Sequence, residues 1–183
     1  MKAKQSKQLG NLLAFASAIV GLVAVIMIFL PQIVAASENS DTAYNGIAIA
    51  FGKQISKIGT ENNYILTKVD FSFLNLLCYL LVVVGLLLTV LQICGICKSK
   101  LVTFISAIAF IAGGVLFFFA LNFSSISTIT VTSIGKTNPV VKKFADFNSE
   151  NATAWKLGTG AIVGGTMAIL AGVENIGRAL LSK

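Results

Sequence analysis

Few residues in this chain have side chains able to do chemistry, and they are scattered. There is no histidine among the 183 residues, which removes the commonest general base, proton shuttle and metal ligand together. The three cysteines are Cys78, Cys94 and Cys97, and the last two form a C-x-x-C. Redox catalysis wants that motif at a helix start, and a zinc site wants two more ligands where only Cys78 remains. Cys94 and Cys97 are therefore read as small apolar side chains beside a membrane face, with reversible acylation as the chemistry open to them. No catalytic residue, cofactor or metal is expected, and the chain reads as non-enzymatic.

Glu174 is the one acidic residue inside a hydrophobic segment, and an intramembrane carboxylate is a candidate for ion or proton handling. Arg178 lies four residues on, the spacing of a helical ion pair, so the expectation is an interfacial Glu174/Arg178 pair. Asn75, Gln92 and Asn122 are polar within or at the edges of apolar runs. They are expected to bond neighbouring helices, or to line a wet path if they converge. Gly160, Gly164, Ala168 and Gly172 recur every four residues, a stripe that lets two helix backbones approach closely in lipid. Its partner is either the small face Ala14, Ser17 and Gly21 of the first apolar run or another subunit. Ala109 and Gly113 form a shorter stripe of the same kind.

The elements that must position these residues are membrane spans. With 56% hydrophobic and 11% charged residues and a mean hydropathy of +0.87, the chain has too little charged surface to cover a soluble globule. The net charge of +7 is spread among apolar blocks without a nucleic-acid motif, so no nucleic-acid partner is expected. Uncharged runs predict spans at about 12–31, 71–93, 101–123 and 157–181, each near the ~20 residues that cross a bilayer. The fourth reaches that length only by continuing through Glu174 and Arg178 to Leu181.

A small-residue site at Val34-Ala35-Ala36 raises the alternative that the first run is a cleaved signal peptide, but about 20 apolar residues exceed the usual h-region of about 7–15, so a retained span is expected. Lys2, Lys4 and Lys7 precede the first span and Lys53 is the first lysine after it. This places both termini and the turn 94–100 in the cytoplasm of a multi-pass plasma-membrane protein.

Outer loops at about 38–70 and 124–156 are then expected to form a small ordered cap. "STITVTS" from Ser127 to Ser133 alternates as a strand. "NGIAIAFG" from Asn45 to Gly52 fits either a strand pairing with it or a short helix, and Ile55 and Ile58 in "KQISKIG" keep a helical spacing. Trp155, Phe144 and Phe147 read as interfacial anchors. Asn122-Phe-Ser124 and Asn151-Ala-Thr153 match the glycosylation triplet.

The fold class expected is an all-α integral membrane protein, one membrane domain over 1–183, a four-helix bundle with a cap that holds at most short β-strands. This layout is similar in topology to claudins, connexins and related tetraspan junction proteins. The outer-loop cysteine pairs of those families and the Gly-Leu-Trp signature of claudins are absent, so the likeness is of topology alone. The function expected is that of a membrane subunit that forms a homo-oligomer or joins a larger complex through its small-residue face and outer loops, with the bilayer as its other partner. The alternative is an oligomeric pore or channel.

Overall fold

The computed structural model describes residues 2–36, 42–97, 99–132, 135–149 and 155–181. In chain order the elements are α1 (Lys2–Ile26), β1 (Pro31–Ala35), β2 (Ala43–Asn45), α2 (Gly46–Phe51), β3 (Lys53–Gly59), β4 (Tyr64–Val69), α3 (Phe73–Ile93) and α4 (Lys100–Phe117). There follow α5 (Ala120–Phe123), β5 (Ser125–Thr132), β6 (Gly135–Lys136), β7 (Val140–Lys143), β8 (Trp155–Leu157) and α6 (Thr159–Leu181), with 3₁₀ turns at Met27–Phe29 and Phe144–Ser149.

Four helices are long and apolar enough to cross a membrane: Gln8–Phe29, Phe73–Ile93, Lys100–Phe117 and Thr159–Leu181. Each ends where the sequence supplies a cap or a turn. Ser72 and Ser99 accept backbone N–H groups at the starts of α3 and α4, satisfying donors that no helical carbonyl can reach. Gly95 takes a positive φ of 76° in the tight turn between α3 and α4, a conformation costly to other residues. The third span is shorter than 101–123, because α4 stops at Phe117 and two turn residues separate it from α5.

The bundle is built with its bulk outside. α1 packs on α3 and α6, and α4 packs on the same two, so the helices alternate in direction around a square. Large apolar side chains point outward, among them Leu12, Ile19, Leu87, Ile108 and Val173, as hydrocarbon surroundings require. Small residues point inward. A Cβ on Gly114 would lie 2.8 Å from the carbonyl oxygen of Gly165, and one on Gly172 would lie 2.9 Å from that of Ala107, so α4 and α6 meet backbone to backbone.

The other end of the bundle carries a cap that makes the fold more than all-α. β2, β1 and β8 form one antiparallel sheet. β3, β4 and β5 form a second, extended by β6 and β7 beside β5. β5 occupies the predicted threonine-rich strand. "NGIAIAFG" becomes α2, capped by the Asn45 side chain accepting from Ala48 N–H at 2.9 Å. "KQISKIG" becomes β3, against its helical spacing, because it pairs with β4 from Lys53 to Gly59. The core between sheet and bundle holds Ile33, Tyr44, Ile49, Val69, Phe144 and Trp155. Phe144 and Trp155 are therefore cap core rather than lipid-facing anchors: Phe144 is 0% and Trp155 9% exposed, with ring centroids 4.9 Å apart. Burial raises the phenol pKa of Tyr44, whose ring meets Phe144 edge to face and Trp155 at a tilt.

Candidate functional site

Six polar side chains come together inside the bundle, two from each of three helices and each pair spaced i, i+3. They are Thr89 and Gln92 on α3, Thr103 and Ser106 on α4, and Asn175 and Arg178 on α6. Residues three apart share a helix face, so the pairs stack as two layers. In the deeper layer Asn175 Nδ2 donates to Thr89 Oγ1 at 2.9 Å and to Ser106 Oγ at 3.1 Å. Thr89 Oγ1 and Ser106 Oγ lie 2.8 Å apart, and each reaches the Gly85 carbonyl, at 2.9 and 2.7 Å. The two hydroxyls hold two protons between them, and the carbonyl and their mutual contact use both. Asn175 must then present its NH₂ to them, which turns its carbonyl oxygen away. Asn175 Oδ1 is indeed buried without a partner.

In the layer nearer the turn, Gln92 Oε1 accepts from Thr103 Oγ1 at 3.1 Å and from Arg178 Nη1 at 2.7 Å, while Gln92 Nε2 donates to the Ser99 carbonyl at 3.3 Å. The expected Glu174/Arg178 ion pair is not formed. Arg178 donates to Gln92 instead, and Glu174 Oε2 is buried with no partner. Arg178 Nη1 reaches across the bundle from α6 to the amide oxygen of Gln92 on α3, a hydrogen bond strengthened by the charge on its donor.

Above the cluster the bundle is closed by Phe110, fully buried. Its ring fills the gap left by two glycines: a Cβ on Gly21 would lie 2.6 Å from Phe110 Cζ and one on Gly85 would lie 2.9 Å from Cγ. Beyond it, towards the cap, lie Val82, Cys78, Tyr79 and Phe117, with Tyr79 and Phe117 edge to face at 5.2 Å.

The other residues singled out by sequence are placed as follows. Gly160, Gly164, Ala168 and Gly172 are buried inside the chain, facing Leu30, Met27, Phe117 and Ile111, so this face is not open to a second subunit. Ala14 and Ser17 are buried too, and Ser17 Oγ donates to the Ala171 carbonyl at 2.9 Å. Asn75 is buried at the cap end, where Nδ2 donates to Ser124 Oγ at 2.7 Å. It lies about 25 Å along α3 from Gln92, so the two do not share a path. Asn122 is exposed and joins neither. Asn151-Ala-Thr153 lies outside the described residues.

Cys94 is exposed and Cys97 half-buried, both free thiols, and no metal-binding cluster occurs among the described residues. Thr89, Thr103, Ser106 and Asn175 carry the cluster unannounced by any motif; the recurring i, i+3 polar pair on three separate spans is the signal that finds them. Comparison with known proteins finds no matching family model, no similar curated protein and no similar solved structure.

Proposed function

We propose that the chain is a non-enzymatic integral membrane subunit that joins a larger assembly through the five-stranded sheet of its cap, against a partner surface of apolar and acidic groups. The observation that carries this reading is the sheet's exposure on both faces. Ile58 and Ile65 are cross-strand partners and are 68% and 45% exposed, and Val140, on the same face by register, is 62% exposed. A row of branched apolar side chains left in water marks a contact surface. The strands add Lys53, Lys57, Lys136, Lys142 and Lys143 and not one acidic residue, with Lys68 paired to Asp70 at 3.4 Å just past β4, so the complementary surface is acidic.

The small-residue stripe has no part in this assembly, since its face is used within the chain. Both termini are assigned to the cytoplasm of the plasma membrane and the cap to the outside, on the strength of the lysines crowded before α1 and around the α3–α4 turn. A pore is the weaker reading. Phe110 fills the bundle axis, and the outward side chains along the spans are large and apolar, a poor lining for water between copies.

The test places acidic side chains in the apolar row of the sheet. Ile58→Glu with Val140→Glu, both exposed and on the same face, is expected to leave the helical content unchanged and to reduce the mass of the assembly extracted from membranes to that of the free chain. An assembly of unchanged mass overturns the proposal.

A further inference from the structure

Given the cap-mediated assembly proposed above, on which this step rests, we infer that the partner adds an extended acidic segment as a further strand along the outer edge of β3. The ladder, the strand's length and its charge each support this.

The edge is open. β3 lies at the end of its sheet and pairs with β4 alone, and six of its seven residues are exposed. Thr60 N–H donates to the Asn63 carbonyl at 2.8 Å in the hairpin joining the two strands, and Asp70 N–H donates to the Ser125 carbonyl at 2.9 Å on the far side of β4. Antiparallel ladders alternate between bonded and non-bonded pairs. Along both registers, Ile58 opposite Ile65 and Ser56 opposite Thr67 are then bonded pairs, and Lys57 opposite Leu66 is not. The N–H and C=O of Lys57 therefore point away from β4, and so do those of Gln54, opposite Lys68 beyond the bulge. Among the described residues, no turn or loop backbone bonds to either.

The edge is also long. Sheet edges are commonly kept short or covered, because a row of unpaired N–H and C=O groups is a template for another chain. The outermost strands elsewhere in the cap follow that rule: β2 and β8 have three residues each, β6 two and β7 four. β3 has seven, about 23 Å of chain. An extended peptide that pairs with such an edge takes affinity from main-chain bonds and specificity from alternate side chains.

Charge selects the occupant. β3 carries Lys53 and Lys57 and no acidic residue, and Lys57 Nζ stands 4.1 Å over the ring of Tyr64. A second copy fits badly. Antiparallel pairing of two β3 strands centred on Ile55 sets Lys53 against Lys57, and pairing centred on Lys57 sets two lysines together, and like charges directly opposite destabilise a sheet. An acidic side chain beside Lys57 is favoured instead. On the other face of the added strand an apolar side chain meets Ile58, which is 68% exposed. The occupant is thus a segment of a different chain in which acidic and apolar residues alternate.

Proline at position 57 tests the added strand, because it removes a donor that β4 does not use and is tolerated where an edge N–H faces solvent. Lys57→Gln removes the charge and keeps the N–H. In assemblies extracted from membranes, Lys57→Pro is expected to leave the helical content unchanged and to reduce the mass to that of the free chain. Lys57→Gln is expected to weaken the assembly by up to about fivefold, the worth of one cross-strand charge pair; an assembly as tight as the natural one contradicts the acidic character of the strand.

If Lys57→Pro leaves the mass unchanged while Ile58→Glu with Val140→Glu reduces it, strand addition is overturned and the face contact stands. If neither reduces it, both are overturned. A dimer of the purified chain in nanodiscs that Lys57→Pro abolishes makes a second copy the occupant and overturns the acidic partner strand. Residue-resolved hydrogen–deuterium exchange of the unaltered protein gives the answer even where the proline variant does not fold. The Lys57 amide is expected to exchange at least about tenfold more slowly in the assembly than in the purified chain, with Ser56 and Ile58 protected in both. Equal exchange of Lys57 in the two samples overturns the proposal.

Discussion

Arg178 passes over Glu174, one turn before it on the same helix, and donates instead to Gln92 Oε1 across the bundle at 2.7 Å. This choice ties the end of α6 to the end of α3, elements 86 residues apart in sequence, and leaves the carboxylate with an unpartnered buried oxygen. Arg178→Lys is not conservative here, because an ammonium lacks the guanidinium's reach and fork. It is expected to lower the unfolding midpoint as much as Gln92→Leu does, and a double-mutant cycle should find the two coupled rather than additive. Glu174→Gln, which removes a charge without a bond, should be neutral or stabilising.

Asn175 holds two hydroxyls at once. Asn175→Leu should lose two interhelical bonds, each worth about 0.6–1.7 kcal/mol in a bilayer, read as the loss of unfolding free energy in a mixed-micelle titration. Asn175→Asp should be worse than Leu, since it places an acceptor where both hydroxyls need a donor.

Gly114 and Gly172 lie where helix backbones touch. Gly114→Leu and Gly172→Leu should each cost about 1–3 kcal/mol by overpacking, and the damage should fall on folding of the single chain. A variant that stays folded as a monomer but loses its assembly would show that this face meets another subunit.

Phe110→Ala should cost about 3 kcal/mol or more, the usual loss for a large aromatic whose site collapses poorly.

The Tyr44 phenol lies in the cap core with its pKa raised by burial. The folded state then holds its proton to higher pH than the unfolded chain does. Its contribution to stability is complete below the unfolded value of about 10 and is lost as pH rises from there towards the folded value. Tyr44→Phe should flatten that part of the alkaline limb, as read by cap fluorescence from Trp155.

The spans were legible from their long apolar runs: 71–93 and 157–181 match α3 and α6 almost end to end, the second in spite of Glu174 and Arg178, whereas α1 begins ten residues before 12–31, at Lys2. β5 was legible because Thr128, Thr130 and Thr132 alternate with Ile129 and Val131. β4 gave no such signal, since Ile65, Leu66 and Thr67 put apolar groups on both faces of a sheet exposed on both sides, and without β4 the segment before it kept a helical reading.

Trp155 and Phe144 look like interfacial anchors in any sequence that re-enters a membrane. Only the pairing of β8 with β1, which joins residues on either side of most of the chain, draws them into a core. The polar cluster was half visible. Gln92 and Arg178 stood out, but Thr89, Ser106 and Asn175 acquire meaning only through the register of three helices, which depends on loops whose length says nothing of helix rotation.

Hydrogen–deuterium exchange tests the central claim, that the cap sheet makes the partner contacts while the small-residue face of α6 holds the chain together. It should be measured on the protein in its native membrane assembly and on the purified chain in nanodiscs. Peptides covering 53–69 and 125–143 are expected to be more protected in the assembly, with 159–181 equally protected in both. Equal exchange of the sheet in the two samples, or protection gained by 159–181 alone, would contradict the account.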